Sequence, residues 1–173
     1  MPVVRLAVAA CVLLVLTACG ATKTTTEAHQ SLPTPSAAAD RADLMTKGAV
    51  TRTIRDGVTL VVSAPTSFTP TETAYPKAAR AVAFELVIDN RSDTVYRPAQ
   101  LSFVATADGL DASQIIDSTQ GYNGLTGAAD EVLPSQMLRF SVAFEVPSHA
   151  SSVRVVLRPA AADATIPIFD GTV

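Results

Sequence analysis

The sequence has 173 residues, and its 13 basic and 16 acidic side chains give a formal net charge of -3 at neutral pH. The basic residues are scattered along the chain, which excludes the positive patch that nucleic-acid binding requires, so no nucleic acid partner is expected. The length accommodates one domain of ordinary size together with short flanking segments.

Residues 1–18 have the organisation of a secretory signal peptide. Arg5 is the only charged residue before an apolar run from Leu6 to Leu16, and small residues follow that run. A helix needs roughly 20 apolar residues to cross a bilayer, so this run is too short for a permanent transmembrane span. We therefore expect residues 1–18 to be a cleaved export signal.

The end of this segment, Leu16-Thr17-Ala18-Cys19, resembles the bacterial lipobox, in which a Leu or branched residue and two small residues precede a cysteine. The resemblance implies that a dedicated signal peptidase cuts before Cys19 and that the Cys19 thiol carries a diacylglyceryl group. Two or more acyl chains anchor a protein stably because each buried methylene contributes about 0.8 kcal/mol. We therefore expect a lipoprotein held by Cys19 on the extracytoplasmic face of the cell membrane. The alternative is an ordinary signal peptide that is cleaved elsewhere and leaves Cys19 unmodified.

Residues 19–47 are expected to be a flexible linker behind the lipidated N-terminus. They are rich in Thr, Ala, Ser and Pro and contain almost no large apolar residues, so burial cannot offset their ordering entropy. As a coil, such a stretch spans roughly 30 Å, enough to hold a domain clear of lipid headgroups. Since Cys11 lies within the export signal, the domain beyond the linker has no disulfide.

From residue 48 to residue 173 the apolar residues alternate with polar ones, which predicts β-strands separated by turns. Asp56-Gly57 is typical of a type I′ hairpin loop, because Gly tolerates a positive φ. No segment of this region has a helical period. The predicted strands are Val50–Arg55, Val58–Val62, Arg80–Asn90, Leu101–Thr106, Ser113–Ile116, Leu138–Val146, Val153–Arg158 and Thr165–Phe169.

The two strongest strands define the expected core. In the first, the apolar face consists of Val82, Phe84, Leu86 and Ile88. In the second, it consists of Leu138, Phe140, Val142, Phe144 and Val146, with Arg139, Ser141, Ala143 and Glu145 predicted to face outward. About seven to nine short strands of this kind predict an all-β fold, an immunoglobulin-like two-sheet sandwich that follows the signal peptide and the disordered tether.

Three segments of this region carry a family resemblance: 81–93 (AVAFELVIDNRSD), Leu133-Pro134, and Phe140 with 142–147 (VAFEVP). They resemble the uncharacterised immunoglobulin-like domain of actinobacterial-type lipoproteins, which is similar to small secreted immunoprotective antigens. The likeness covers about residues 50–173. Its pattern is a strand that ends in Asn, a polar turn, and a Pro-Gly turn before the last long strand; here Ser135 stands where Gly is usual. The family has no established reaction, so the resemblance implies no catalytic residue.

Few residues suggest chemistry. His149 lies near Ser148, Ser151 and Ser152, but a hydrolase needs a carboxylate and oxyanion donors to converge with them, and a turn histidine explains the same residues. We therefore predict that the chain is not an enzyme and that it holds no cofactor.

A calcium site could be built from the carboxylate and amide side chains of turns, although such residues also hydrogen-bond to their own backbone. Met45, Met137 and His149 are isolated as soft or nitrogen ligands, so no metal site is predicted. The calcium candidates are Asp89, Asn90, Asp93, Asp108 and Asp111.

The longest irregular stretch is Ser118–Glu131, where Tyr122 and Asn123 are candidate contacts for a partner. Its glycines do not indicate phosphate binding, because the acidic pair Asp130-Glu131 follows them and no helix does. The sequence therefore predicts a membrane-anchored, non-enzymatic binding or accessory module of the cell envelope, with a cell-envelope protein as a candidate partner. The alternative is a ligand- or ion-binding lipoprotein, for which a pocket of roughly 300 Å³ or more with converging polar groups would be the sign.

Overall fold

The computed structural model describes residues 49–126, 128, 130–159 and 165–173. The predicted signal peptide, Cys19, and the linker lie outside the described residues. Within the described ranges, no helix is long and apolar enough to cross a membrane. These residues form ten strands: β1 Val50–Arg55, β2 Val58–Val62, β3 Thr66–Phe68, β4 Ala81–Asn90, β5 Leu101–Ala107, β6 Leu110–Ala112, β7 Gln114–Ile115, β8 Met137–Glu145, β9 Ser152–Pro159 and β10 Ile166–Thr172.

The strands form two antiparallel sheets, so the predicted all-β fold is confirmed at that level. Sheet I has the order β1-β2-β4-β8-β7, and β3 pairs with β4 beyond the end of β2. Sheet II has the order β10-β9-β5-β6. The pair at the centre of sheet I is β4 and β8, which align over nine residue pairs from Ala81↔Glu145 to Asp89↔Met137.

The core lies where the apolar faces of both sheets meet. The predicted inner residues of β4 and of the 138–146 segment belong to this cluster, except that Leu138 is partly buried and packs against it. Leu101 and Ala105 of β5 and Val153, Val155 and Leu157 of β9 also belong to it. Fully burying a side chain of this size contributes about 1.5–3 kcal/mol, so these alternating strands supply the main driving force for the fold. The inner-face prediction is confirmed for both long strands.

The two Asp-Gly turns differ from each other. The Asp56-Gly57 hairpin forms as predicted, but only Gly57 has a positive φ, 71°, so the predicted type I′ geometry is wrong there. In Asp108-Gly109, which joins β5 to β6, both residues have positive φ, 49° and 81°. An irregularity in β1 between Thr53 and Arg55 changes the register before the first turn, and this accounts for the different loop.

Three strand assignments differ from the prediction. β3 and β6 are three-residue strands, too short to show an alternating pattern in the sequence. β10 continues through Asp170 and Gly171, a pair expected to end it, because Asp170 pairs with Arg154 and Gly171 with Val153 of β9. Pairing with a neighbouring strand outweighs the local turn preference of Asp-Gly.

Asn90, at the end of β4, connects the segments that carry the family resemblance. Its buried amide Nδ2 donates to the carbonyls of Thr94 and Val132, both at 2.8 Å, and its Oδ1 accepts from Ser92 Oγ at 2.7 Å and from Ser92 N at 3.1 Å. Its backbone carbonyl accepts from Ser135 N at 2.7 Å. One side chain therefore fixes both the turn after β4 and the approach to β8.

The turn before β8 keeps the geometry that glycine would favour. Ser135 has a φ of 64°, and Gln136 N donates to the Leu133 carbonyl at 3.0 Å. With Pro134 at the second position, this is the pattern of a type II turn, which requires a positive φ at its third residue. Ser135 therefore adopts a strained conformation that glycine would tolerate more easily.

Candidate functional site

The outer face of sheet I, which points away from the core, has a covered half and an open half, and beyond the open half Val61 and Val87 are buried again. In the covered half, Ala81 and Ala83 of β4 and Ala143 of β8 are buried with Ile115, and Phe68 and Tyr122 pack against them. Ala143, predicted to face outward, does lie on the outer face but is fully buried. The small Ala side chains leave room for the two aromatic rings to cover the sheet.

Tyr122, one of the two predicted contact residues, is held in this covered half. Its ring lies 4.3 Å from the ring of Phe68, and its backbone exchanges two hydrogen bonds of 2.9 Å with Asp117. Burial raises the pKa of the Tyr122 hydroxyl, and the negative charges of Glu85 and Asp117 raise it further. The hydroxyl therefore stays protonated at neutral pH and can donate a hydrogen bond.

Asp117 ties the start of the 118–131 loop to the segment that follows β3. Its carboxylate is buried and accepts from Thr71 N and Thr71 Oγ1, both at 2.8 Å, and from Gln120 Nε2 at 3.0 Å. Burial alone would raise the pKa of Asp117, but the hydrogen bonds from Thr71 and Gln120 outweigh it and hold the pKa below its usual value. The loop is thus anchored at one end by an ionised carboxylate.

The open half contains a cleft of about 570 Å³ between the loop and the outer residues of β4 and β8. Gly124, on the loop side, has a φ of 62°, which favours glycine, and a Cβ there would have to displace the Gln114 side-chain amide, 2.5 Å away. The other lining residues are Glu85, Gly121, Asn123, Thr126, Ala128, Arg139, Phe140 and Ser141.

The polar groups of the cleft are neutral as a set. Arg139 Nη2 pairs with Glu85 Oε2 at 2.5 Å, and the Ser141 hydroxyl donates to the Gly121 carbonyl at 2.9 Å. The exposed ion pair contributes little to stability, on the order of 1 kcal/mol or less. The described lining therefore carries one acidic and one basic side chain beside groups that form hydrogen bonds, which favours an uncharged ligand.

Asn123, the other predicted contact residue, is exposed and lies in the cleft wall. Of the two predicted contact residues in the loop, the Tyr122 side chain therefore packs on the sheet, whereas Asn123 lines the cleft.

No family model, curated protein or solved structure matches the chain.

The arrangement of side chains that a hydrolase needs is only partly present. His149 Nε2 lies 3.3 Å from Asp108 Oδ2, and Asp108 Oδ1 accepts from the backbone N of Ser152 at 2.8 Å. Within the described residues, no serine hydroxyl hydrogen-bonds to His149. The Ser151 hydroxyl is buried without a hydrogen-bond partner. A carboxylate and a base therefore meet at an exposed turn without a nucleophile.

The residues considered for calcium are dispersed over several turns. The side-chain nitrogen and oxygen of Asn90 are both hydrogen-bonded within the turn after β4. The Asp89 carboxylate pairs with Arg91 at 2.9 Å. Asp108 binds Ser152 and His149 instead. In the described part of the chain, no group of three or more His, Cys, Asp or Glu side chains could hold a metal ion. Met137 packs against Val61 and Val87, and Met45 lies outside the described residues.

Glu85, Arg139 and Ser141 were not identified as site residues from the sequence. The alternating pattern does place all three on the outer faces of the two longest strands. The pattern does not show how β4 and β8 are aligned with each other. In the structure, Glu85 lies opposite Ser141 and Val87 lies opposite Arg139. Only this pairing brings the carboxylate, the guanidinium and the hydroxyl together under the loop.

Proposed function

We propose that this chain is a lipid-anchored extracytoplasmic lipoprotein, and that its immunoglobulin-like domain is a non-enzymatic binding or accessory module of the cell envelope. The observation that carries the binding role is the cleft of about 570 Å³, which lies beside the loop that the sequence singles out for recognition. Sites of this kind are clefts of about 300–1,000 Å³ with a few placed polar groups. The proposed localisation rests on the predicted export signal and on Cys19.

The strand order supports an immunoglobulin-like arrangement. β2-β4-β8-β7 corresponds to the order A-B-E-D of an immunoglobulin domain, and β10-β9-β5-β6 corresponds to G-F-C-C′. β1 is then an additional strand beside A. The domain has no cysteine with which to form the inter-sheet disulfide of antibody domains, so non-covalent contacts hold the two sheets together, among them a hydrogen bond of 2.8 Å from Arg52 Nε to the Pro167 carbonyl.

The cleft also favours the ligand-binding alternative, because its volume exceeds the threshold of roughly 300 Å³. Native mass spectrometry of protein extracted from membranes separates the two functions. A small ligand gives a bound mass that a bulky Ser141→Trp substitution removes. A protein partner gives no such adduct.

The proposed partner role is tested by placing a photo-crosslinking residue at Asn123 in intact cells. The matched control places the same residue at Leu110, which is 74% exposed on β6 of sheet II. We expect a crosslinked product from position 123 that is lost when Thr126→Trp fills the cleft. The same products from both positions would contradict a role for the cleft.

The proposed anchor is tested by Cys19→Ala, with Cys11→Ala as the control. The Cys19→Ala protein should leave the membrane fraction or accumulate as an uncleaved precursor, whereas Cys11→Ala should fractionate normally. Incorporation of a labelled fatty acid into the Cys19→Ala protein would refute the assignment.

A further inference from the structure

The long central strand β8 is paired unequally on its two edges. On one edge it pairs with β4 along its whole length, from Met137 to Glu145. On the other edge, β7 pairs only with Ala143 and Phe144. In the described part of the chain, no strand therefore covers the second edge of β8 from Met137 to Val142.

The backbone groups on this edge can be assigned from the ladder. Glu145 N donates to Ser113 beside β7, while Val146 N donates to Arg80 at the end of β4. Because alternate residues of a strand direct their N–H and C=O groups to opposite edges, the odd-numbered residues of β8 point away from β4. The amide and carbonyl of Ser141 and Met137 therefore point toward the edge that β7 leaves uncovered.

The uncovered edge and the cleft coincide. Arg139, Phe140 and Ser141 line the cleft together with the loop residues Gly121 and Asn123, and the Gly121 carbonyl accepts a hydrogen bond from the Ser141 hydroxyl. An open strand edge presents a ladder of main-chain donors and acceptors to any extended chain beside it. Here that ladder lies along a cavity of about 570 Å³.

We propose that this cleft binds an extended peptide segment, which adds to sheet I as a strand along the uncovered edge of β8. The inference rests on the proposed binding role of the cleft and specifies its ligand class. Main-chain hydrogen bonds supply affinity in this mode, and pockets for alternate side chains supply specificity. The six residues from Met137 to Val142 extend roughly 20 Å at about 3.4 Å per residue, which sets the length of the bound segment.

The lining specifies the side chains of the peptide. Phe140 faces the core side of the sheet and is mostly buried, whereas Arg139 and Ser141 face outward. Since side chains directly opposite each other share a face, residues that neighbour Phe140 are apolar and those that neighbour Ser141 are polar. Among the described lining residues, Glu85 and Arg139 carry opposite charges, which favours an uncharged segment with alternating apolar and polar residues.

The test uses capped hexapeptides of alternating Thr and Val with the full-length protein in detergent micelles, monitored by NMR of the amides of Gly121 and Gly124, which line the cleft. Three peptides are compared: one unmodified, one N-methylated at every Thr, and one N-methylated at every Val. Strand addition uses the amides of one parity only, so one methylated peptide should lose at least about tenfold in affinity while the other binds as the parent does. The parity that is lost reports an antiparallel or a parallel orientation.

Two protein variants complete the test. Ser141→Pro removes the amide donor and should weaken the parent peptide at least about tenfold, whereas Ser141→Ala keeps the amide and should bind within about threefold. If Ser141→Pro does not fold, the methylated peptides decide the question alone. Equal binding of all three peptides at the cleft would overturn strand addition and leave the cleft as a binding site. Absence of binding by all three at about 1 mM would overturn strand addition as well, while the crosslinking at Asn123 tests the proposed function independently.

Discussion

The two halves of the outer face of sheet I are built on the same pair of strands and have opposite properties. Where the outward positions are Ala81, Ala83 and Ala143, two aromatic rings cover the sheet and exclude water. One step further along β4 and β8, the outward positions are Glu85 and Ser141, and the face opens into a cleft. Small apolar residues therefore convert an outer face into a second packed layer, while a charge or a hydroxyl at the next position leaves it accessible.

The comparison also separates stability from recognition. The covered half holds Tyr122 and one end of the 118–131 loop in place, and the open half is the wall of the cleft that this loop completes. Substitutions in the first half should therefore act on folding, and substitutions in the second should act on binding.

The largest expected effect is that of a charge placed in the covered half. Ala143→Asp buries a carboxylate without a partner and should lower the free energy of unfolding by about 4 kcal/mol. Ser141→Asp, two residues away on the same face but in the open half, should lower it by less than about 1 kcal/mol. Urea denaturation measures both variants. Similar losses would show that the two halves do not differ in the way described.

A smaller effect is expected from removing the ring that covers the sheet. Tyr122→Ala deletes the contact with Phe68 and should cost about 2 kcal/mol. Tyr75→Ala is the matched control, because Tyr75 is 79% exposed and should change stability by less than about 0.5 kcal/mol. Thermal unfolding followed by circular dichroism distinguishes the two. Equal melting temperatures for the variants would contradict a packing role for Tyr122.

The turn at Ser135 precedes β8, the strand on which both halves are built, and a substitution there should raise stability. Ser135→Gly relieves the strained positive φ and should raise the free energy of unfolding by about 1 kcal/mol. Ser135→Ala keeps the strain and removes only the hydroxyl, so it should not stabilise the protein. The midpoints of urea denaturation test this pair. A stabilising Ser135→Ala would point to the hydroxyl instead of the backbone.

The smallest effect is expected from the Asp117 anchor, whose contribution to stability is present at neutral pH and is lost only in acid. Because the folded-state pKa of Asp117 is lowered, its contribution to stability is present above the unfolded pKa of about 3.9 and is lost as the pH falls through the folded value. The Tyr122 ring resonances should shift over this acidic range. Asp117→Asn should flatten that dependence while lowering the melting temperature at neutral pH. An unchanged acid titration in Asp117→Asn would contradict the assignment.

Part of the fold could be predicted from the sequence because it depends on short-range alternation. The inner faces of β4 and β8, the strand β2 and the hairpin at Asp56-Gly57 follow from the period of two and from a turn that glycine favours. Each of these signals is contained in a few adjacent residues, although β4 and β8 themselves pair across a long stretch of chain. The three-residue strands β3 and β6 carry too few residues for such a signal, and each exists because a longer partner strand lies beside it.

The candidate site could be predicted only in part. The loop with Tyr122 and Asn123 was identified by its irregular composition, whereas Glu85 and Arg139, 54 residues apart, become a pair only through the register of β4 and β8. The sequence by itself determined the alternating strands, the lipobox-like segment at Cys19 and the Asn90 turn, since each depends on adjacent residues. Tertiary structure decided that Ala143 is buried on an outer face and that Ser141 lies in a cleft. Both outcomes depend on which distant segment packs over the sheet, and no local pattern encodes that choice.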